Sequence, residues 1–103
     1  MMRPEDVARH VELLDGVRRS SAGGLVAWRY HGRLVARQLD ESRLVIRTGF
    51  AEREALVGAL PETFSVPARF AAHMMVVADL VDGERTAIEA AIDAAWLLQR
   101  EAD

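Results

Sequence analysis

LVAWRYHGRLVARQLDESRLVIR, residues 25–47, contains three runs rich in Val, Leu, Trp and Tyr. Such runs, broken by turn residues, read as β-strands, here over 25–31, 33–39 and 43–48. His31-Gly32 makes the first tight turn and Asp40-Glu41-Ser42 the second. Turns this short join antiparallel neighbours. Side chains alternate across a strand, so each run has two faces. Val26, Trp28 and Tyr30 share one; Arg29 and His31 share the other with Leu25 and Ala27. Leu34 and Ala36 oppose Arg33, Val35 and Arg37, and Leu44 and Ile46 oppose Arg43, Val45 and Arg47. Only the apolar faces can fill a core. Strict alternation therefore predicts one outer basic surface formed by Arg29, His31, Arg33, Arg37, Arg43 and Arg47.

Helices flank this block. Pro4 suits a first helical turn, Glu5 and Asp6 suit the positive end of its dipole, and Val7, Val11 and Leu14 recur on one face. The spacing predicts a helix over 4–14, stopped at Gly16. Residues 17–24, VRRSSAGG, read as a loop. A short helix is expected over 51–60, with Thr48 or Gly49 near its cap and Pro61 ending it. Residues 62–72 read as irregular, with one helical turn after Pro67, and 74–80, MMVVADL, as a strand. Asp82 is expected to cap a last helix, with Ile88, Ala91, Ile92, Ala95 and Trp96 on its apolar face. The order predicts an α+β fold: a single antiparallel sheet with helices packed on one face.

At 103 residues the chain reads as one domain. Half its residues are hydrophobic and 28% charged, the balance of a globular protein. No cysteine is present, which excludes disulfides and thiolate chemistry. No apolar run reaches the length of roughly 18 residues that spans a membrane, and no secretory signal is seen, so a cytoplasmic protein is expected. The formal net charge of −3 hides an asymmetry. Residues 17–50 hold seven arginines against Asp40 and Glu41, a net +5. Residues 51–103 hold four arginines against ten acids, a net −6. Every basic side chain is Arg, whose planar fork grips phosphate or carboxylate with two hydrogen bonds.

No catalytic or cofactor motif accompanies this pattern. His10, His31 and His73 lack metal-ligand spacing with one another or with acids. There is no nucleophile elbow around Ser20 or Ser21, no P-loop and no dinucleotide fingerprint. Glu52 and Glu54, two apart on a helix, do not face each other. Trp28 and Trp96 read as core. A pocket around Tyr30, Phe70 and His73 is the remaining small-molecule or enzyme reading. No cofactor and no metal are expected.

The basic surface has a bland explanation, since outer faces of antiparallel sheets are normally polar. Its sign argues further. A solvated face mixes acids with bases, because like charges opposite one another destabilise. No acid lies inside the three runs.

The segments WRYHGRLVA and RLVIRTGFAEREALVGALPETFSVPARFAAHMMVVADL, followed by a final helix ending AAWLLQR, carry a resemblance. In their order, with Gly32-Arg33, Pro61, Glu62, Phe64, His73 and Ala95-Trp96, the chain resembles the MmcQ/YjbR family over roughly residues 7–100. The segment from Arg69 to Val76 keeps the histidine, His73, but lacks the tyrosine, glycine, proline and tryptophan common around it in that family. The resemblance implies an α+β fold like that of secretion chaperones and a DNA-binding label. By family register it also adds Arg69 and His73 to the candidate surface. The expectation is a non-enzymatic module that binds DNA weakly through phosphates, with His31 and Arg33 at a hairpin tip near a groove. Neutralising about six phosphates gives a salt slope of roughly −5. The alternative is a protein-interaction module in which the same face docks an acidic partner or a second copy of the chain.

Overall fold

The computed structural model describes residues 1–102. Its elements run α1 (Pro4–Val11), β1 (Val17–Ala22), β2 (Leu25–Tyr30), β3 (Arg33–Gln38), β4 (Arg43–Arg47), α2 (Phe50–Ala59), β5 (Phe64–Ser65), a 3-10 turn (Ala68–Phe70), β6 (Met75–Asp79) and α3 (Arg85–Glu101). All strands join one six-stranded antiparallel sheet in the order β1-β2-β3-β4-β6-β5. The architecture is α+β, as the sequence predicts. No helix is long and apolar enough to cross a membrane among the described residues.

The main core lies between the sheet and the helices. Trp28, Ala36, Ile46 and Val76 stand opposite one another across four strands and are buried. Ile88, Ile92 and Ala95 of α3 and Val7 and Val11 of α1 meet them. These residues fall at helical spacings of three and four, so each helix buries one stripe. Trp28 donates its indole N–H to Glu12 Oε2 at 3.1 Å. Trp96 is half-buried, donates to the Asp15 carbonyl at 2.8 Å and lies under the Arg100 guanidinium.

Several boundaries differ from expectation. α1 ends at Val11, and the chain turns through 12–16 with Gly16 at φ +76°. The stretch 17–22 is a strand, not a loop. Gly23 and Gly24, both at positive φ, close a two-residue hairpin between β1 and β2. β5 pairs two residues within the stretch expected to be irregular. Glu84, not Asp82, occupies the cap position of α3, and its N–H is accepted by Thr63 Oγ1 at 3.0 Å.

The decisive departure is a β-bulge in β3. Trp28 stands opposite Ala36, but its neighbour Arg29 stands opposite Leu34. Val35 is the extra residue, and two residues of β3 thus oppose one of β2. Val35 and Ala36 are both fully buried in the main core. Beyond the bulge the alternation is inverted. Leu34 shares the outer face with Arg29, while Arg33 stands beside Tyr30 on the helix side. There Arg33 Nη2 donates to the Gln99 carbonyl at 3.0 Å. Gln99, itself buried, donates its amide to the Leu34 carbonyl at 2.7 Å. A bulge disrupts the ladder locally; here Gln99 serves a carbonyl of the bulged segment. Gln99→Leu keeps the volume and removes that donor. It is expected to cost about 1–2 kcal/mol, the loss for a buried acceptor left unserved. In a domain of this size each kcal/mol lowers Tm by about 4–8 °C, so a thermal melt indistinguishable from wild type contradicts the assignment.

Candidate nucleic-acid interface

Residues opposite one another share a face. The outer face of the sheet therefore carries Arg18, Ser20, Ala27, Arg29, Leu34, Arg37, Arg43, Val45, Arg47, Met75, Val77 and, directly opposite Arg43, the acid Asp79. It divides into two halves. Over β4 and β6 it is covered: Val45 and Val77 are buried beneath Phe70, with Leu39, Val66 and Met75 around them. Over β1, β2 and β3 it is open. The expected uniformly basic face is thus interrupted by a second small core. Alternation places Val45 outward correctly, but cannot show that the segment after Pro67 folds over it.

That covering segment is fastened by Arg53, a residue the sequence reading passed over. Its guanidinium donates to the carbonyls of Phe70 at 3.3 Å, Ala71 at 3.1 Å and His73 at 2.7 Å. It also lies over the Phe50 ring, 4.8 Å from its centroid. Arg53 is spent on architecture.

The candidate residues separate accordingly. Arg29 and Arg37 are on the open outer face, as expected. Arg29 reaches toward Ser20 Oγ at 3.5 Å. Arg37 lies over Phe70 from one side, 5.7 Å from the centroid, and Arg69 lies 4.8 Å from the same ring. His73 is exposed and edge-on to Phe70 at 6.4 Å. Arg43 is on the outer face but is gripped by Asp40, through Nε at 2.8 Å and Nη2 at 2.7 Å. That guanidinium, with the Ser42 N–H, holds the Asp40 carboxyl below the usual carboxylate range. Arg47 donates to the carbonyls of Thr48 and Met74 at 3.0 and 3.1 Å. His31 takes the turn position at φ +49° and stacks on Tyr30, ring centroids 4.0 Å apart. Arg33 leaves the set, because the bulge turns it to the helix side. Tyr30 packs on the main core while Phe70 and His73 lie on the other side of the sheet, so these three do not converge on one pocket.

Arg18 enters the set in Arg33's place. It stands directly opposite Arg29 across the β1–β2 pair. Reading 17–24 as a loop had hidden it. Among the described residues, Arg18, Arg29, Arg37 and Arg69 form no ion pair with a carboxylate. The acid near β1, Glu12, goes to the inner-face Arg19 at 3.6 Å. Among the described residues no acid answers these four guanidiniums.

The fold is similar to that of a solved DUF419 domain. The chain superposes on the crystal structure of the Deinococcus radiodurans protein DR2400, a DUF419 domain, with a TM-score of 0.77. The match covers 95% of this chain and 78% of that one, at 15% sequence identity. No protein-family model matches the sequence. No curated protein matches it either.

Proposed function

We propose that this protein is a non-enzymatic DNA-binding module of the MmcQ/YjbR type that contacts backbone phosphates through the open half of its outer sheet face. The observation that carries the reading is the row Arg18, Arg29 and Arg37 on three adjacent strands, extended by Arg69 and lacking carboxylate partners among the described residues. DUF419 belongs to the YjbR/MmcQ-like fold group, which agrees with the family resemblance in the sequence. Phosphate contacts position a protein on a duplex without reading bases. The open face presents arginines and small or aliphatic side chains, so it suits a backbone and offers no stacking platform for bases. A plain solvated sheet face is the competing explanation, and affinity decides between them.

Four guanidiniums on phosphates give a slope of log K against log[salt] of about −4 for duplex DNA. A fluorescent duplex titrated at several salt concentrations measures it. Arg29→Ala/Arg37→Ala/Arg69→Ala is expected to reduce the slope to near −1. A slope near zero in the wild type removes the proposal.

The second reading is a protein-docking module, favoured by the open edge of β1. That strand has one neighbour, β2, and Val17–Ala22 is exposed along nearly its whole length. An unpaired edge accepts an added strand from another chain, and its arginines favour an acidic one. Light scattering after size exclusion tests the self-associating version: a strict monomer at high concentration rules it out.

A further inference from the structure

The outer face is not evenly basic. Its charge is densest at one corner, where β1 and β2 begin and end beside the His31-Gly32 turn. Arg18 and Arg29 are direct cross-strand partners there. Such partners have Cα atoms about 5 Å apart, and like charges directly opposed destabilise a sheet. Nothing among the described residues relieves that repulsion with a carboxylate. The contrast with Arg19, one residue on, is informative: it faces the helices and has Glu12.

The corner is also concave. A depression of about 240 Å³ is lined by Arg18, Arg19, Ser20, Arg29 and His31 with Gly16 and Gly32, the Arg19 guanidinium being held by Glu12. Arg29 leans toward the Ser20 hydroxyl, so two guanidinium forks, a hydroxyl and an imidazole border one hollow. The bulge contributes by geometry. It turns Arg33 away and puts Leu34 beside Arg29, so the polar groups gather on the β1 side.

We infer that this corner is a phosphate-binding subsite, in which Arg18 and Arg29 clamp one phosphoryl group from two sides and Ser20 hydrogen-bonds to it. The guanidinium fork matches phosphate oxygens in pairs, and an anion between two opposed arginines offsets their repulsion, a monoester more fully than a singly charged diester. The inference rests on the basic-face reading above and sharpens it: one phosphate is held in a built position, while Arg37 and Arg69 make looser contacts. The same chemistry fits a backbone phosphodiester or a free phosphomonoester.

The test uses the full chain and two double variants, Arg18→Gln/Arg29→Gln and Arg37→Gln/Arg69→Gln. The substituted side chains are at the surface, and circular dichroism checks that each variant folds. Inorganic phosphate is titrated while backbone amide resonances are followed. Saturable shifts confined to residues 16–20 and 29–32, lost in the first variant and kept in the second, are expected. Duplex DNA is then titrated across salt, where the first variant, having lost one phosphate contact, is expected to reduce the slope by about 1. Phosphate binding without duplex binding upholds the subsite for a small phosphomonoester and removes the DNA proposal. Duplex binding with an unaltered slope in the first variant, and no saturable phosphate shift, overturns the subsite while the DNA proposal stands. Absence of both overturns both.

Discussion

Trp28→Ala is expected to lower the unfolding free energy by about 4 kcal/mol, as for truncation of a buried tryptophan that leaves a cavity. Domains of this size have only about 5–15 kcal/mol in total, so the variant sits near the edge of folding. Trp28 is 1% exposed on β2 and faces both Val35 and Ala36 across the bulge. The bulged pair is the reason that the loss is large. Two side chains from one strand converge on one indole, and neither can follow it into the void without undoing the register. The indole N–H bond to Glu12 adds little, because Glu12 is exposed and water replaces its partner. Trp28→Phe keeps much of the ring and is expected to lose about half as much. Urea unfolding measures both, with the midpoint shifted and the m-value unchanged. A loss below about 1 kcal/mol for the alanine variant would mean that the core had collapsed around the site and that the bulge is not rigid. The outcome bears on the arginine face too, since Arg29 follows Trp28 in the chain and is aimed by the same register.

How much of this was legible in the sequence depends on whether the cause was local. The strands carrying Trp28, Ala36 and Ile46 announce themselves by alternation, and the last helix by the spacing of Ile88, Ile92 and Ala95. β1 does not, because VRRSSA has no buried face to leave an apolar period. It is a strand because Gly23-Gly24 folds it back on β2, and that glycine pair was the available signal. The placement of Arg33 failed for a different reason. A bulge exists only in the pairing of two strands, although Leu34-Val35-Ala36, three apolar residues in a row, already breaks strict alternation. Gln99 is the matching clue: a lone amide within the buried stripe of α3 needs a partner, and here finds the Leu34 carbonyl. Arg53 left no local trace, since its three carbonyl acceptors lie 17 to 20 residues away. Of the arginines expected outside, Arg29 and Arg37 are on the open face. Asp40, three residues before Arg43, was the visible hint that Arg43 is already paired.

Phe70→Ala is the second change with a large expected effect, a loss of about 3 kcal/mol. Phe70 is 8% exposed and covers Val45 and Val77, an apolar part of the outer face near the arginines. Removing the ring exposes both valines to water and withdraws the surface on which Arg37 and Arg69 rest. Each cation–π contact at such a partly exposed site adds about 0.5–1 kcal/mol, so packing, not the arginines, dominates the loss. Phe70→Leu separates the two contributions. It retains most of the buried volume and has no π face, so it is expected to cost about 1–1.5 kcal/mol. Its effect on DNA affinity is the informative part. If Phe70 fixes the guanidiniums of Arg37 and Arg69 over the open face, the leucine variant stays folded yet binds duplex DNA several-fold more weakly, with the salt slope unchanged because the charges remain. A leucine variant with undiminished affinity would mean that the arginines need no rigid support, and would make Phe70 a purely structural cover. An alanine variant as stable as wild type would mean that the segment from Val66 to Met74 does not lie on the sheet, and the outer face would then be larger, more apolar and better suited to a protein partner than to phosphate.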